Sequence, residues 1–267
     1  KGRRVCVIES VWVPKAKVVE ALEFAEGFIA NGKSGKDFGN TSIVRNDKVR
    51  LSDSALGSIG ETAFSIAASW YGLDIQGDQT LRYGNDCGDY GQDIRKLSVC
   101  GEPRFLLPKL DVKTTKKGNG WLLVERHRLQ ASIFVLVHAD IPREAKSNPD
   151  LLLRDIECQV VGFALHYDFI RDDGHPIFQY TKGQSLLKPN IATELVLNAD
   201  ALTPEAMKRW WDENSPTDPY MNVQLSCPDQ CGLPNQILRT DAEDLFNIMK
   251  GMSLKEERVD ASKASTK

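Results

Sequence analysis

Leu106-Leu107-Pro108-Lys109-Leu110-Asp111-Val112-Lys113-Thr114-Thr115 decides how this chain is read. Leu106, Leu107 and Leu110 mark a buried strand, and along a strand successive side chains point to opposite faces. Asp111 and Lys113 therefore project together while Val112 points the other way. A carboxylate and an ammonium delivered from the end of a core strand need a partner. A simple ion pair between them is one answer, and a hard-oxygen site for a divalent cation with a cationic group beside it is the other.

The pieces upstream favour the second answer. Gly88-Asp89-Tyr90-Gly91-Gln92-Asp93-Ile94 reads as a Gly-flexed turn entering a strand, with Asp93 at the strand's start, 18 positions before Asp111. Asp86, Asp89 and Asp93 compete as the acid of this turn. Asp93 is favoured because an apolar run begins immediately behind it, whereas Asp89 reads as a turn-former or an outer group. Further upstream, Ser52-Asp53-Ser54 supplies N-cap chemistry for a helix over about 54–71 with the stripe Leu56, Ile59, Ala63, Ile66, Ala67 and Trp70. Glu61 lies off the centre of that stripe beside Gly57, Ser65 and Ala68, small neighbours that would admit a strand end.

These residue types suit phosphodiester hydrolysis. That reaction needs an activated water, counter-charge for the transition state and help for the leaving oxygen. Oxygen-ligated Mg²⁺ or Mn²⁺ supplies much of this, and a lysine positions the water or neutralises the phosphate. A strand-end lysine adds little to a core, so Lys113→Ala is expected to abolish cutting and leave the fold intact.

With 267 residues, 41% of them hydrophobic and 27% charged, the composition is that of an ordinary globular chain. No stretch is apolar enough for a membrane span, and Lys1-Gly2-Arg3-Arg4-Val5 lacks the long apolar run of a secretory signal, so no membrane partner and a cytoplasmic location are expected. Six scattered cysteines are expected as thiols. Cys227-Pro228-Asp229-Gln230-Cys231 has ligand spacing but lacks a neighbouring second pair for zinc. A net charge of −3 argues against coating nucleic acid by bulk electrostatics. Local clusters, Lys113 with Lys116 and Lys117, and Arg126 and Arg128 around His127, can still meet phosphates.

Around this centre the pattern predicts a strand over 4–13, a helix over 15–31, a polar loop to about 50, and β-runs near 73–76, 93–99, 105–112, 131–138 and 156–165. The sheet is expected to be largely antiparallel. A helix should follow Thr203-Pro204, an irregular stretch should span 215–235, and another helix should lie near 241–251. Trp121 is a candidate for stacking on a base, with a core or rim position as the alternative. Thr114 and Thr115 have phosphate-facing hydroxyls or plain β-propensity, and Gln130 stands at the rim or caps a strand. His127, His138, His166 and His175 form no ligand pattern.

Gly60-Glu61, Asp93-Ile94 and Leu110-Asp111-Val112-Lys113 together resemble the PD-(D/E)xK nuclease superfamily, over about residues 55–140. The resemblance implies an α/β, restriction-endonuclease-like fold, a mixed β-sheet flanked by α-helices. It implies Glu61, Asp93 and Asp111 as ligands of Mg²⁺ (or Mn²⁺) and Lys113 as the catalytic amine. Lys116, Lys117, Arg126 and Arg128 are the expected contacts to nucleic acid, DNA first, and a homodimer is one way to cut both strands. Two departures stand out: Gln92 replaces the proline often found before the first aspartate, and the separation to Asp111 is long. The expected organisation is a nuclease-like domain over 1–215, an irregular segment and helix over 216–253, and a flexible tail over 254–267. The alternative is an inactive nucleic-acid-binding or protein-interaction module of the same fold. A small-molecule hydrolase leaves the acid-x-Lys strand unexplained, and the G-x-S-x-G, G-x-x-x-x-G-K and H-E-x-x-H motifs are missing.

Overall fold

The helix that begins at Asp47 organises the molecule. In the computed structural model the described residues are 10–30, 46–76, 93–126, 129–172, 174–180, 186–197 and 230–255, with the side chains of 95, 107, 108, 254 and 255 excepted. Helix α2 (Asp47–Ser69) starts seven residues before the expected 54, because Asn46 rather than the Ser52–Ser54 stretch caps it, its side chain accepting from the Val49 N–H at 2.9 Å. Its inward residues are small: Ala55, Ser58, Gly60, Ala63, Ala67 and Ala68 are buried with Ile59 and Phe64. The expected stripe was drawn too far round, since Trp70 is exposed. Helix α1 (Lys15–Ala30) packs along α2 through Val18, Ala21, Leu22 and Ala25, so α2 is covered on two sides.

Beneath α2 lies a mixed sheet of β1 (Val11–Val13), β2 (Leu73–Gln76), β3 (Ile94–Val99), β4 (Glu102–Lys116), β6 (Ile133–Ala139), β7 (Ile156–Leu165) and β10 (Ser253–Lys255). Its order is β1-β7-β6-β4-β3-β2, with β10 also on β4. Every pairing is antiparallel except β4 with β6. The chain is thus a mixed α/β protein. Strand β7 falls where expected, and β4 runs well beyond the expected 105–112.

Cys100 and Gly101, both at positive φ, join β3 to β4 as a tight two-residue hairpin that pairs Val99 with Glu102. Lower down, Lys96 pairs with Phe105 but Ile94 with Leu110, so β4 bulges between these rungs. Pro108 sits in that bulge, where its missing N–H breaks no ladder.

A second sheet of β5 (Trp121–Glu125), β9 (Gln230–Pro234) and β8 (Gln179–Tyr180) covers part of the face away from α2. Leu122, Val124, Cys231 and Leu233 pack there on Phe134, Leu136 and Ala164. On its outer side Trp121, Phe178 and Tyr180 meet helix α3 (Pro189–Leu197) through Ala192 and Leu195. Sequence patterning missed β5 and α3, and the stretch expected to be irregular over 215–235 contains β9.

Helix α4 (Ala242–Gly251), capped by Asp241, was expected; its Phe246 stacks on Phe64 and Tyr71 in the main core. Strand β9 lies in the second sheet, α4 packs into the main core and β10 pairs with β4. The expected strand before residue 10, the turn carrying Asp86 and Asp89, Arg128, the helix after Thr203-Pro204, Cys227 and residues 256–267 lie outside the described residues. Among the described residues no helix is long and apolar enough to cross a membrane.

Candidate functional site

Strand β3 begins one residue after Asp93, and Asp93 extends its ladder backward with a side chain. The Asp93 N–H donates to the Leu110 C=O at 2.9 Å, and the Asp93 Oδ2 accepts from the Val112 N–H at 2.6 Å. Residues two apart along a strand offer their backbone groups to the same neighbour, so the Asp93 carboxylate supplies the rung beyond Leu110 on β4. This fixes the Asp93 carboxylate against the amide between Asp111 and Lys113.

Val112 points to the helix side, packed with Leu110 and α2. Asp111 and Lys113 point to the other face, beside Phe134 and Leu136 of the parallel strand β6. The expectation of a shared face for acid and amine holds. Asp111 is only 3% exposed, and the Lys113 ammonium sits against its carboxylate, 2.8 Å from Oδ1 and 2.7 Å from Oδ2. A directed hydrogen bond reaches Oδ1 alone; Oδ2 is buried with an electrostatic contact but no aligned donor. Lys113 keeps 28% of its side chain in water.

Glu61 arrives from the other side of the sheet. Helix α2 touches β4 at Gly60, where any Cβ would fall inside the Thr114 side chain. Thr114 therefore faces α2, and Asp111 and Lys113, of opposite parity, face away. Glu61 is half-buried next to that contact. The small-residue approach read from the sequence is real, but it centres on Gly60 rather than on Gly57. Among the described residues no group of three or more His, Cys, Asp or Glu side chains could hold a metal ion. The expected trio is thus divided: Asp93 and Asp111 flank one amide with Lys113, while Glu61 stands on the helix face.

The expected nucleic-acid contacts divide as well. The Ser132 N–H donates to the Lys109 C=O at 2.8 Å, so the chain leaving β5 returns to the end of β4 that precedes Asp111. Exposed Arg126 lies on that return. Lys116 and Lys117 are exposed at the far end of β4, some 17–20 Å from Asp111 at about 3.3 Å per residue. Lys117 there is close to Asp140 and Glu157, at 3.9 and 4.0 Å.

Other candidates take structural places. Trp121 is buried, its Nε1–H donating to the Leu187 C=O at 2.9 Å and its ring edge-on to Phe178 and Tyr180, which excludes base stacking. Among the described residues the buried Thr114 hydroxyl has no hydrogen-bond partner, and the Thr115 hydroxyl accepts from the Asn119 side chain at 3.0 Å. Asp168 clamps Arg239 with two bonds of 2.9 Å.

Sequence reasoning missed a polar knot beyond Lys113 on the same face. His138, paired with Thr115 across β6, contacts the Asn235 side-chain amide at 3.4 Å, and that amide donates to the Asn119 C=O at 2.7 Å. Burial lowers the pKa of His138, opposed by its hydrogen bond to the Asn119 backbone, so the ring is biased toward its neutral form. An alternation of Thr115 with Lys113 and Asp111 was the available signal, but Asn235 comes from too far along the chain to be linked by pattern.

Comparison with protein-family models, curated proteins and solved structures finds no match for the chain.

Proposed function

We propose that this chain is a metal-dependent phosphodiesterase acting on nucleic acid, DNA first, of the PD-(D/E)xK type on a restriction-endonuclease-like sheet. The observation that carries the reading is the bond from the Val112 N–H to Asp93, which gathers a second carboxylate beside an acid and an amine that already share a face. The buried Asp111 Oδ2, lacking a directed donor, fits a hard cation. Asp93 and Asp111 would hold Mg²⁺ or Mn²⁺, and Glu61, on the helix side of the sheet, is the third acid that the resemblance implies. When bound, the ion supplies a polarised phosphoryl oxygen and a more acidic water. Lys113 orients the attacking water or neutralises the phosphate, and Arg126 meets the neighbouring phosphate at the near end of β4.

A specific observation favours a second reading. The Lys113 ammonium is already held by Asp111, and the described residues contain no three-acid group, as expected of an inactive nucleic-acid-binding member of the same fold. Digestion of circular, linear and single-stranded DNA, and of RNA, in Mg²⁺, Mn²⁺ or EDTA separates the two. The expected outcome is metal-dependent cutting that is lost in Asp111→Asn and Lys113→Gln, each checked for folding by circular dichroism. Cutting by folded Lys113→Gln at the parent rate would defeat the mechanism, and binding without cutting in every metal would establish the second reading. Glu61→Gln, titrated with Mn²⁺, decides whether α2 contributes a ligand: a weakened metal midpoint says that it does.

A further inference from the structure

The face of the sheet that carries Asp111 and Lys113 continues across the β3–β4 hairpin. There Phe105, opposite Lys96 in the register, is 40% exposed although it stands in the longest strand of the sheet. The Lys96 Nζ lies 5.4 Å from the centre of its ring. Leu97 and Leu106, their neighbours along each strand, point to the helix side. Phe105 and Lys96 therefore lie on the same face as the acid-x-Lys pair, on a part of it that is exposed.

We propose that Phe105 and Lys96 form a platform for an unpaired nucleic-acid strand, with a base stacked on the Phe105 ring and the adjoining phosphate met by Lys96. This rests on the nuclease reading and names its substrate class. Lys96 is three residues from Asp93, about 10 Å along the strand, so a strand lying on the platform passes directly to the carboxylates. A flat exposed ring accepts a base only where that base has a free π-face, which a strand outside a duplex offers and a duplex interior does not.

Position and charge single out this aromatic among the exposed ones of the described residues: Trp70 closes α2, on the opposite side of the sheet from Asp111 and Lys113. Trp12 stands beside Glu157 in the register, with Asp140 hydrogen-bonded to that residue's backbone, and the lysine there, Lys117, is already turned to both carboxylates. Tyr167 is covered by Arg239, whose charge is spent on Asp168. Among the described residues Lys96 has no carboxylate partner, and its ammonium rests on the ring alone. A cation parked on an aromatic face that water reaches is held weakly enough to be exchanged for a phosphate.

The test is binding by the full chain in EDTA, where nothing is cut. Fluorescence anisotropy compares a labelled single-stranded oligodeoxynucleotide, the same sequence carrying abasic sites, and the blunt duplex. The single strand is expected to bind tightest. Phe105→Leu should weaken it about tenfold and leave abasic binding unchanged, Phe105→Trp should retain it, and Lys96→Gln should flatten the salt dependence by about 0.7 in log–log slope, one phosphate's worth. If the parent binds the strand and Phe105→Leu binds it equally well, the platform is wrong while the nuclease reading stands. If the parent binds no nucleic acid in EDTA or in Mg²⁺, the nuclease reading falls and takes the platform with it. If Phe105→Leu changes the sedimentation of the free protein but not its binding, the face is an interface between copies, which also overturns the proposal.

Discussion

At the level of single residues, Lys113 does more than the sequence suggested. Its ammonium is the counter-charge of a carboxylate that is 3% exposed, and a buried carboxylate stripped of its partner is costly. Lys113→Ala is therefore expected to lower stability by about 2–3 kcal/mol, less than for a fully enclosed pair because water reaches the amine. The expectation that this substitution spares the fold is corrected by the burial of Asp111. Urea denaturation checks it, and the paired change Asp111→Leu with Lys113→Met should restore most of the loss. Gly60 is as constrained. Gly60→Ala gains about 1 kcal/mol of helix propensity but drives a methyl into Thr114, and overpacking of this kind costs about 1–3 kcal/mol. A net loss is expected, relieved in part in a Thr114→Ala background, and a double-mutant cycle by thermal melting measures the coupling.

Among the elements, the end of β3 is where structure and chemistry meet. Asp93→Asn keeps an oxygen for the Val112 N–H and should cost less than 1 kcal/mol, the scale of one hydrogen bond. Asp93→Ala leaves that N–H unpaired and should cost about 1–3 kcal/mol. Both should lose metal-dependent cutting. Equal destabilisation by the two variants in denaturant would show that the capping bond is unimportant. The sequence revealed elements whose apolar period is clean, such as β7 with its alternating burial and α4 with its Asp241 cap. It concealed α2's true start, since Asn46 caps a first turn that is mostly charged. It concealed β5 and β9 because each pairs with a partner more than a hundred residues away, and Cys-Gly-Leu-Pro carries turn residues rather than alternation. The shared face of Asp111 and Lys113 was legible because two residues of spacing fix it, and the place of Asp93 because the apolar run behind it forms β3. Glu61 was not, because which side of a sheet a helix covers is decided by packing.

For the molecule as a whole, the two sheets close on a titratable group. His138 lies under the junction of β6 with the Asn119 and Asn235 segments, its pKa pushed below 6.5 chiefly by burial. The unfolded chain takes up a proton near pH 6.5 while the folded one resists it, so stability is full above that pH and falls as pH drops toward the folded value. His138→Gln should flatten this slope below about pH 6.5, measured by urea midpoints at each pH against the parent. An unchanged slope would mean that the ring is solvated in solution. The layering of helices, mixed sheet and second sheet also explains why function must be sought at the sheet's margin: Phe134 and Leu136, next to Asp111 and Lys113, are already sealed under β5 and β9.

Strand β10 lies on β4 with Ser253 opposite Leu106 and Leu254 opposite Phe105, on the flank that β3 does not occupy. During synthesis the hairpin bearing Phe105 leaves the ribosome long before that neighbour exists, and its outer backbone groups wait for β10 to arrive. Pairings so distant in sequence are slow to form, so nascent chains halted ahead of Ser253 should be the ones that chaperones retain.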